Sequence, residues 1–97
     1  MFVGIGRFDF VVASSTSLKE KRRVVRSLTA NLRNKFNLAV AEVEYQDLRQ
    51  RAALGVACVS NSAFHCKKML HEVERFVRSQ YEIEVVGADT EVITPDA

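Results

Sequence analysis

No apolar run in this 97-residue chain approaches the roughly 20 residues that a membrane-spanning helix needs. The opening MFVGIGRFDF also lacks the basic-then-apolar order of a secretion signal. Both absences point to a cytosolic protein. Cysteine occurs only twice, as Cys58 and Cys66, each inside an apolar pattern, so reduced, buried thiols are expected and a disulfide scaffold is not. There is no C-x-x-C pair and no H-x-x-x-H pair. His65 and His71 stand six apart and so point to different sides of a helix, and with Cys58 and Cys66 they make no metal site. The serines cluster where helix caps are expected, which leaves no nucleophile constellation. No repeat, low-complexity tract or interdomain linker divides the chain. With 47% hydrophobic and 27% charged residues it is expected to form one compact domain over residues 1–97.

What is present is most concentrated in residues 17–36, SLKEKRRVVRSLTANLRNKF. Ser17 and Glu20 have the S-x-x-E spacing in which a hydroxyl and a carboxylate satisfy the unpaired N–H groups at a helix start. At about 100° per residue, Leu18, Val25, Leu28, Leu32 and Phe36 fall on one stripe, the pattern of a helix packed on a core. Lys19, Arg22, Arg23, Arg26 and Arg33 form a second stripe beside it. The five cations create a local positive field that the formal net charge of +2 conceals.

The remaining elements follow from alternation between the two periods. Residues 2–12 read as a strand with Phe8, Phe10 and Val12 on one side and Arg7 and Asp9 on the other. After Asn37, residues 38–44 alternate Ala39, Ala41 and Val43 against Val40, Glu42 and Glu44, a second strand. The polar connection YQDLRQ leads to residues 52–60, a small and apolar run whose Gly55 suits a strand closely approached by a neighbour. Ser60 to Ser62 supply cap candidates for a second amphipathic helix running to Arg78 on Cys66, Met69, Leu70, Val73, Phe76 and Val77. Residues 81–87 read as the last strand, continuing or bulging at Gly87 toward 91–93 before Pro95. Residues 92–97 are read as a loose tail.

This order, βαββαβ, is that of a ferredoxin-like α+β sandwich: a four-stranded antiparallel sheet with two helices on one face. The other face is expected to be mainly acidic, carrying Arg7, Asp9, Glu42, Glu44, Glu82 and Glu84, and to be a place where a second copy could pair through small residues such as Ala53 and Ala57.

The runs SLKEKRRVVRSL, RNKFNLAVAEVE and QDLRQRAALGVACVSN, with the helix after them, resemble the YlxP-like family of small bacterial proteins, to which no biochemical function is assigned. The likeness spans nearly the whole chain. The chain departs from the family in having Arg49 where an aromatic is usual and Asn61-Ser62 where Asn-Asp is common. The resemblance implies a ferredoxin-like fold and a bacterial cytosolic setting. Genes of this family often lie near those for translation initiation and ribosome maturation, which directs attention to RNA.

The expected function is therefore non-enzymatic binding of RNA or a ribosomal subunit, with Lys19, Arg22, Arg23, Arg26 and Arg33 meeting phosphates. The loop would add Arg49 and Arg51, with Tyr45, Gln46 and Asp47 as further contacts. Asp47 is expected to cap its turn or pair with a nearby arginine. Phe64 and Tyr45 are the candidate exposed stackers. Base reading by the sheet is not expected, because the third strand, RAALGVACV, lacks the aromatics that stack bases in sheet-type RNA modules. An acylphosphatase-like reaction would need a glycine-rich phosphate cradle after the first strand, whereas Gly4-Ile5-Gly6-Arg7 falls inside it. No cofactor is implied. The alternative is a homodimeric structural or regulatory interaction module that binds no nucleic acid.

Overall fold

The computed structural model describes residues 1–95. Six elements follow in the expected order: β1 (Phe2–Val11), α1 (Leu18–Lys35), β2 (Ala39–Glu44), β3 (Arg51–Ser60), α2 (Ala63–Arg78) and β4 (Glu84–Ile93). The strands form one antiparallel sheet in the order β2-β3-β1-β4. This is the ferredoxin-like α+β fold.

Both helix starts use the side chains the sequence offers. Ser17 Oγ accepts from the Glu20 N–H at 3.1 Å, and Glu20 reaches back to accept from the Thr16 N–H at 2.7 Å and the Thr16 hydroxyl at 2.9 Å. Ser62 Oγ accepts from the His65 N–H at 3.2 Å. Phe36 closes α1, and its ring meets Phe76 of α2 edge-on, with centroids 6.1 Å apart. The core lies between the helices and the even-numbered side of β1: Phe8, Phe10 and Val12 are fully buried, as are Leu32, Leu54, Val73 and Val77.

Two glycines make room in this packing. A Cβ on Gly4 would stand 2.8 Å from Cys58 Sγ and 3.1 Å from Leu70 Cδ1, so β1 carries no side chain where α2 and the two cysteines close over it. A Cβ on Gly55 would stand 2.9 Å from Val43 Cγ1, the close approach expected at that position. Cys58 and Cys66 are free and buried, and burial beside Cys66 pushes the Cys58 thiol up from its usual value.

The edge strands depart from the sequence reading. The β2–β3 register shifts between Glu42 and Glu44, so these residues, two apart, face opposite sides of the sheet. Glu42 lies opposite the buried Leu54 on the helix side, Val43 is the extra residue, and of the two glutamates only Glu44 joins the open face. The last strand begins at Glu84, not Tyr81, because Gln80 and Ile83 donate backbone bonds within a turn. Glu82 therefore belongs to that turn and not to the sheet. A second register shift, between Asp9 and Phe10, leaves Val86 as the extra residue beside Gly87. Val92 and Ile93 are the end of β4 and not the start of a tail, since Ile93 pairs with Val3; residues 96 and 97 of the expected tail lie outside the described residues.

Candidate nucleic-acid interface

The run Lys19-Glu20-Lys21-Arg22-Arg23 is sorted by the helix into three roles. Lys19, Arg22, Arg23 and Arg26 lie on the exposed arc of α1 and line a surface depression of about 460 Å³. Glu20 stands at its border, but its carboxylate is occupied by Thr16, and those bonds hold it below its usual pKa. Lys21 points the other way. It lies at about 200° from Lys19 on the helical wheel, in the middle of the apolar stripe.

Lys21 is the structural centre that charge patterning missed. Its side chain is 0% exposed. The ammonium donates to Glu42 Oε2 at 2.7 Å, to the Tyr45 carbonyl at 3.0 Å and to the Gln46 carbonyl at 3.3 Å, which uses all three of its donors. A buried lysine with three acceptors is a fixed strut. It ties α1 to the end of β2 and to the turn where Tyr45 adopts a positive φ of 67°. The signal was in the sequence: Lys21 stands four residues before Val25 and seven before Leu28, both buried, so its position belongs to the inward stripe.

The other candidates separate. Arg33 shares the outward face of α1, but its Nη2 donates to the Val40 carbonyl at 3.0 Å and braces the helix end against β2. Arg49 is exposed in the loop. Arg51 is not a loop residue: it opens β3 on the open sheet face, 4.5 Å from the Tyr45 ring centroid and 3.8 Å from Asp9. Tyr45 is thereby engaged by Arg51 instead of standing free as a stacker, and Gln46 donates to the Glu42 carbonyl at 3.2 Å. Asp47 is exposed, with no hydrogen bond or ion pair among the described residues, so the expected capping or arginine pairing is not formed. Because Lys21 holds this loop on the inward side of α1, the loop candidates do not merge with the basic arc. Phe64, as expected, is 76% exposed, at the start of α2.

An aromatic that the sequence reading placed in a strand stands instead beside the cations. Tyr81, in the turn before β4, is 94% exposed. The turn is pinned to α1 by an ion pair between Arg23 and Glu82 at 3.0 Å, and Tyr81 lines a small cleft with Val24, Ser27 and Leu28. No group of three or more His, Cys, Asp or Glu side chains capable of holding a metal occurs among the described residues. No helix of the structure is long and apolar enough to cross a membrane.

The family model "Protein of unknown function (DUF503)" matches residues 3–90. The chain belongs to the DUF503 family. A DUF503 relative, the uncharacterized protein YlxP of Bacillus subtilis (strain 168), is 37% identical over 89 residues, which cover 92% of this chain and 97% of that protein. Among solved structures, the chain is similar to the N63A mutant of SnoaB, a cofactor-independent oxygenase from Streptomyces nogalater, at 12% identity and a TM-score of 0.49, covering 99% of this chain and 94% of that one. It is also similar to LarC2, the C-terminal domain of a cyclometallase, at 9% identity and a TM-score of 0.40, covering 96% of this chain and 56% of that one. At these similarities neither neighbour bears on what this DUF503 chain does.

Proposed function

We propose that the protein is a non-enzymatic module that binds RNA, in the first instance ribosomal RNA, through the outward arc of α1. The observation that supports this reading is the grouping of Lys19, Arg22, Arg23 and Arg26 on one exposed surface whose bordering acids are already engaged, Glu20 by Thr16 and Glu82 by Arg23. Four guanidinium and ammonium groups on one helix face offer positive charge to the phosphates of a structured backbone. Arg23 keeps its place through Glu82. Tyr81, held at the rim by the same turn, offers a face to an unstacked base. The strut at Lys21 fixes the helix on the sheet, so the backbone that carries the cations need not be ordered on binding.

The test is filter binding of labelled ribosomal RNA fragments, and co-sedimentation with isolated ribosomal subunits, at about 150 mM salt. Wild type should bind, and Arg22→Ala/Arg23→Ala/Arg26→Ala should lose most of the affinity while keeping the wild-type circular dichroism spectrum. Binding that survives the triple substitution would remove α1 as the interface. A wild type that binds neither target would remove ribosomal RNA as the ligand.

A further inference from the structure

The open face of the sheet is divided in a way that a second copy of the same chain would complete. One row runs across all four strands through residues paired in register: Ala39 on β2, Ala57 on β3, Ile5 on β1 and Glu91 on β4. The next row is Ala41, Gly55, Arg7 and Asp89. In the first row the β2–β3 half carries small residues and the β1–β4 half large ones, whereas in the second Val43 lies over Gly55 and fills the low half. The first row is thus a step, low on one side and high on the other.

The two ends of the face also differ. Toward the start of β1 it is apolar: Ile5 is 37% exposed, Val59 65% and Ile93 36%. Toward the other end it is charged: Arg7, Arg51, Asp9 and Glu44 form a matched cluster, while Glu84 and Asp89 of β4 stand outside it. Arg7 donates to Asp9 at 2.8 Å and reaches across β3 to Glu44, and Arg51 lies near Asp9. Ala53, beneath this network, is fully buried although no helix covers that side. The neutral cluster fills the low half at its own end, and the step remains open at the apolar end.

We propose that the protein is a homodimer joined through these open faces about a two-fold axis parallel to the strands. That axis lays β1 over the partner's β3 and β4 over the partner's β2, so that Ile5 descends onto the partner's Ala57 and Glu91 onto the partner's Ala39. Each apolar end meets an apolar end and each neutral cluster meets its copy. The perpendicular choice, a two-fold across the strands, would set the acidic β4 against itself and the apolar end on the charged one. The strand spacing and rise give a face of about 19 by 33 Å, or about 600 Å² in plan, close to the roughly 800 Å² per partner of a standard stable interface. The helices, with their basic arcs, remain on the two outer surfaces of such a dimer, so the interface competes with nothing in the proposed RNA contact.

Light scattering coupled to size exclusion, at submillimolar protein, is expected to give twice the 10.9 kDa chain mass. Ala57→Arg, which raises the low half of the step, should give the single-chain mass with an unchanged circular dichroism spectrum. The axis is tested by Ala39→Cys/Glu91→Cys under mild oxidation. Within one chain these positions lie three strand spacings apart, about 14 Å, too far for a disulfide. A covalent dimer on a non-reducing gel, lost with reductant, supports the strand-parallel axis. A monomeric wild type, or an Ala57→Arg protein that stays dimeric, overturns the interface; a dimer that gives no cross-link overturns the axis.

Discussion

Replacing Lys21 by Met keeps the length and apolar stem of the side chain and removes only the ammonium. The loss leaves Glu42, whose side chain is 17% exposed, without its ion pair, and leaves the carbonyls of Tyr45 and Gln46 without their donor. Breaking a buried pair from one side destabilises by about 3–5 kcal/mol, because the remaining charge is desolvated and unpaired. A domain of this size is stable by about 5–15 kcal/mol in total, so Lys21→Met should remove about a fifth or more of it and lower Tm by about 12–40 °C. Lys21→Met/Glu42→Leu separates the charge from the strut. With the orphaned carboxylate gone, the double variant should recover to within about 1–2 kcal/mol of wild type, the residue being the two backbone carbonyls. Urea unfolding followed by circular dichroism measures all three proteins. Trypsin cleavage after Arg49 should also accelerate in both variants, since the loop loses its tie to α1. A Lys21→Met protein within about 1 kcal/mol of wild type would refute the claim that this lysine holds the helix, β2 and the loop together.

Tyr81→Ala should weaken RNA binding by about tenfold, the worth of one stacked base, without moving Tm, because a ring 94% exposed contributes no packing; filter binding beside a melt shows both. Gly4→Ala should destabilise by about 1–3 kcal/mol, since the added methyl meets Cys58 Sγ and Leu70 from a fully packed side, and a urea midpoint shift with unchanged slope reads it. Asp9 is held below its usual pKa first by the hydrogen bond from Arg7, with Arg51 adding to the effect. Its folded pKa being the lower one, the network stabilises above about pH 4 and loses that stability as pH falls through the folded value. Asp9→Asn should therefore be less stable than wild type by about 1 kcal/mol at neutral pH and converge with it in acid; a constant difference across pH would contradict the assignment.

The elements that the sequence made legible are those where local chemistry and packing agree. Ser17 with Glu20 marked the start of α1, Ser62 the start of α2, and Phe8 with Phe10 the buried side of β1. What was not legible lies at the sheet edges, where one strand face has no neighbour to impose a register. The bulge at Val43 turned Glu42 inward against the simple alternation, and that inward carboxylate is the partner Lys21 requires. The inward position of Lys21 can be read from the helical stripe of α1, but the turn of Glu42 toward it cannot be read from β2 alone. At the opposite edge Tyr-Glu-Ile-Glu-Val-Val alternates like a strand from its first residue, yet pairing with β1 begins only at Glu84, which frees Tyr81 and sends Glu82 to Arg23. The basic arc and the loop patch were legible as charge, but which cations stay free was not: Arg33 of the arc is taken by a carbonyl and Arg51 of the loop patch by a ring, and only contacts across elements reveal that.

The most direct test of the RNA reading is the salt dependence of binding to ribosomal RNA, measured by fluorescence anisotropy for wild type and for Arg22→Ala/Arg23→Ala/Arg26→Ala. Each phosphate contact contributes a slope of about −0.7 to −0.9 in log K against log salt, so the four cations of the outward arc should give wild type a slope near −3. The triple variant should bind weakly, with a slope closer to −1. Equal slopes in the two proteins, or no binding by wild type at low salt, would contradict α1 as a nucleic-acid surface.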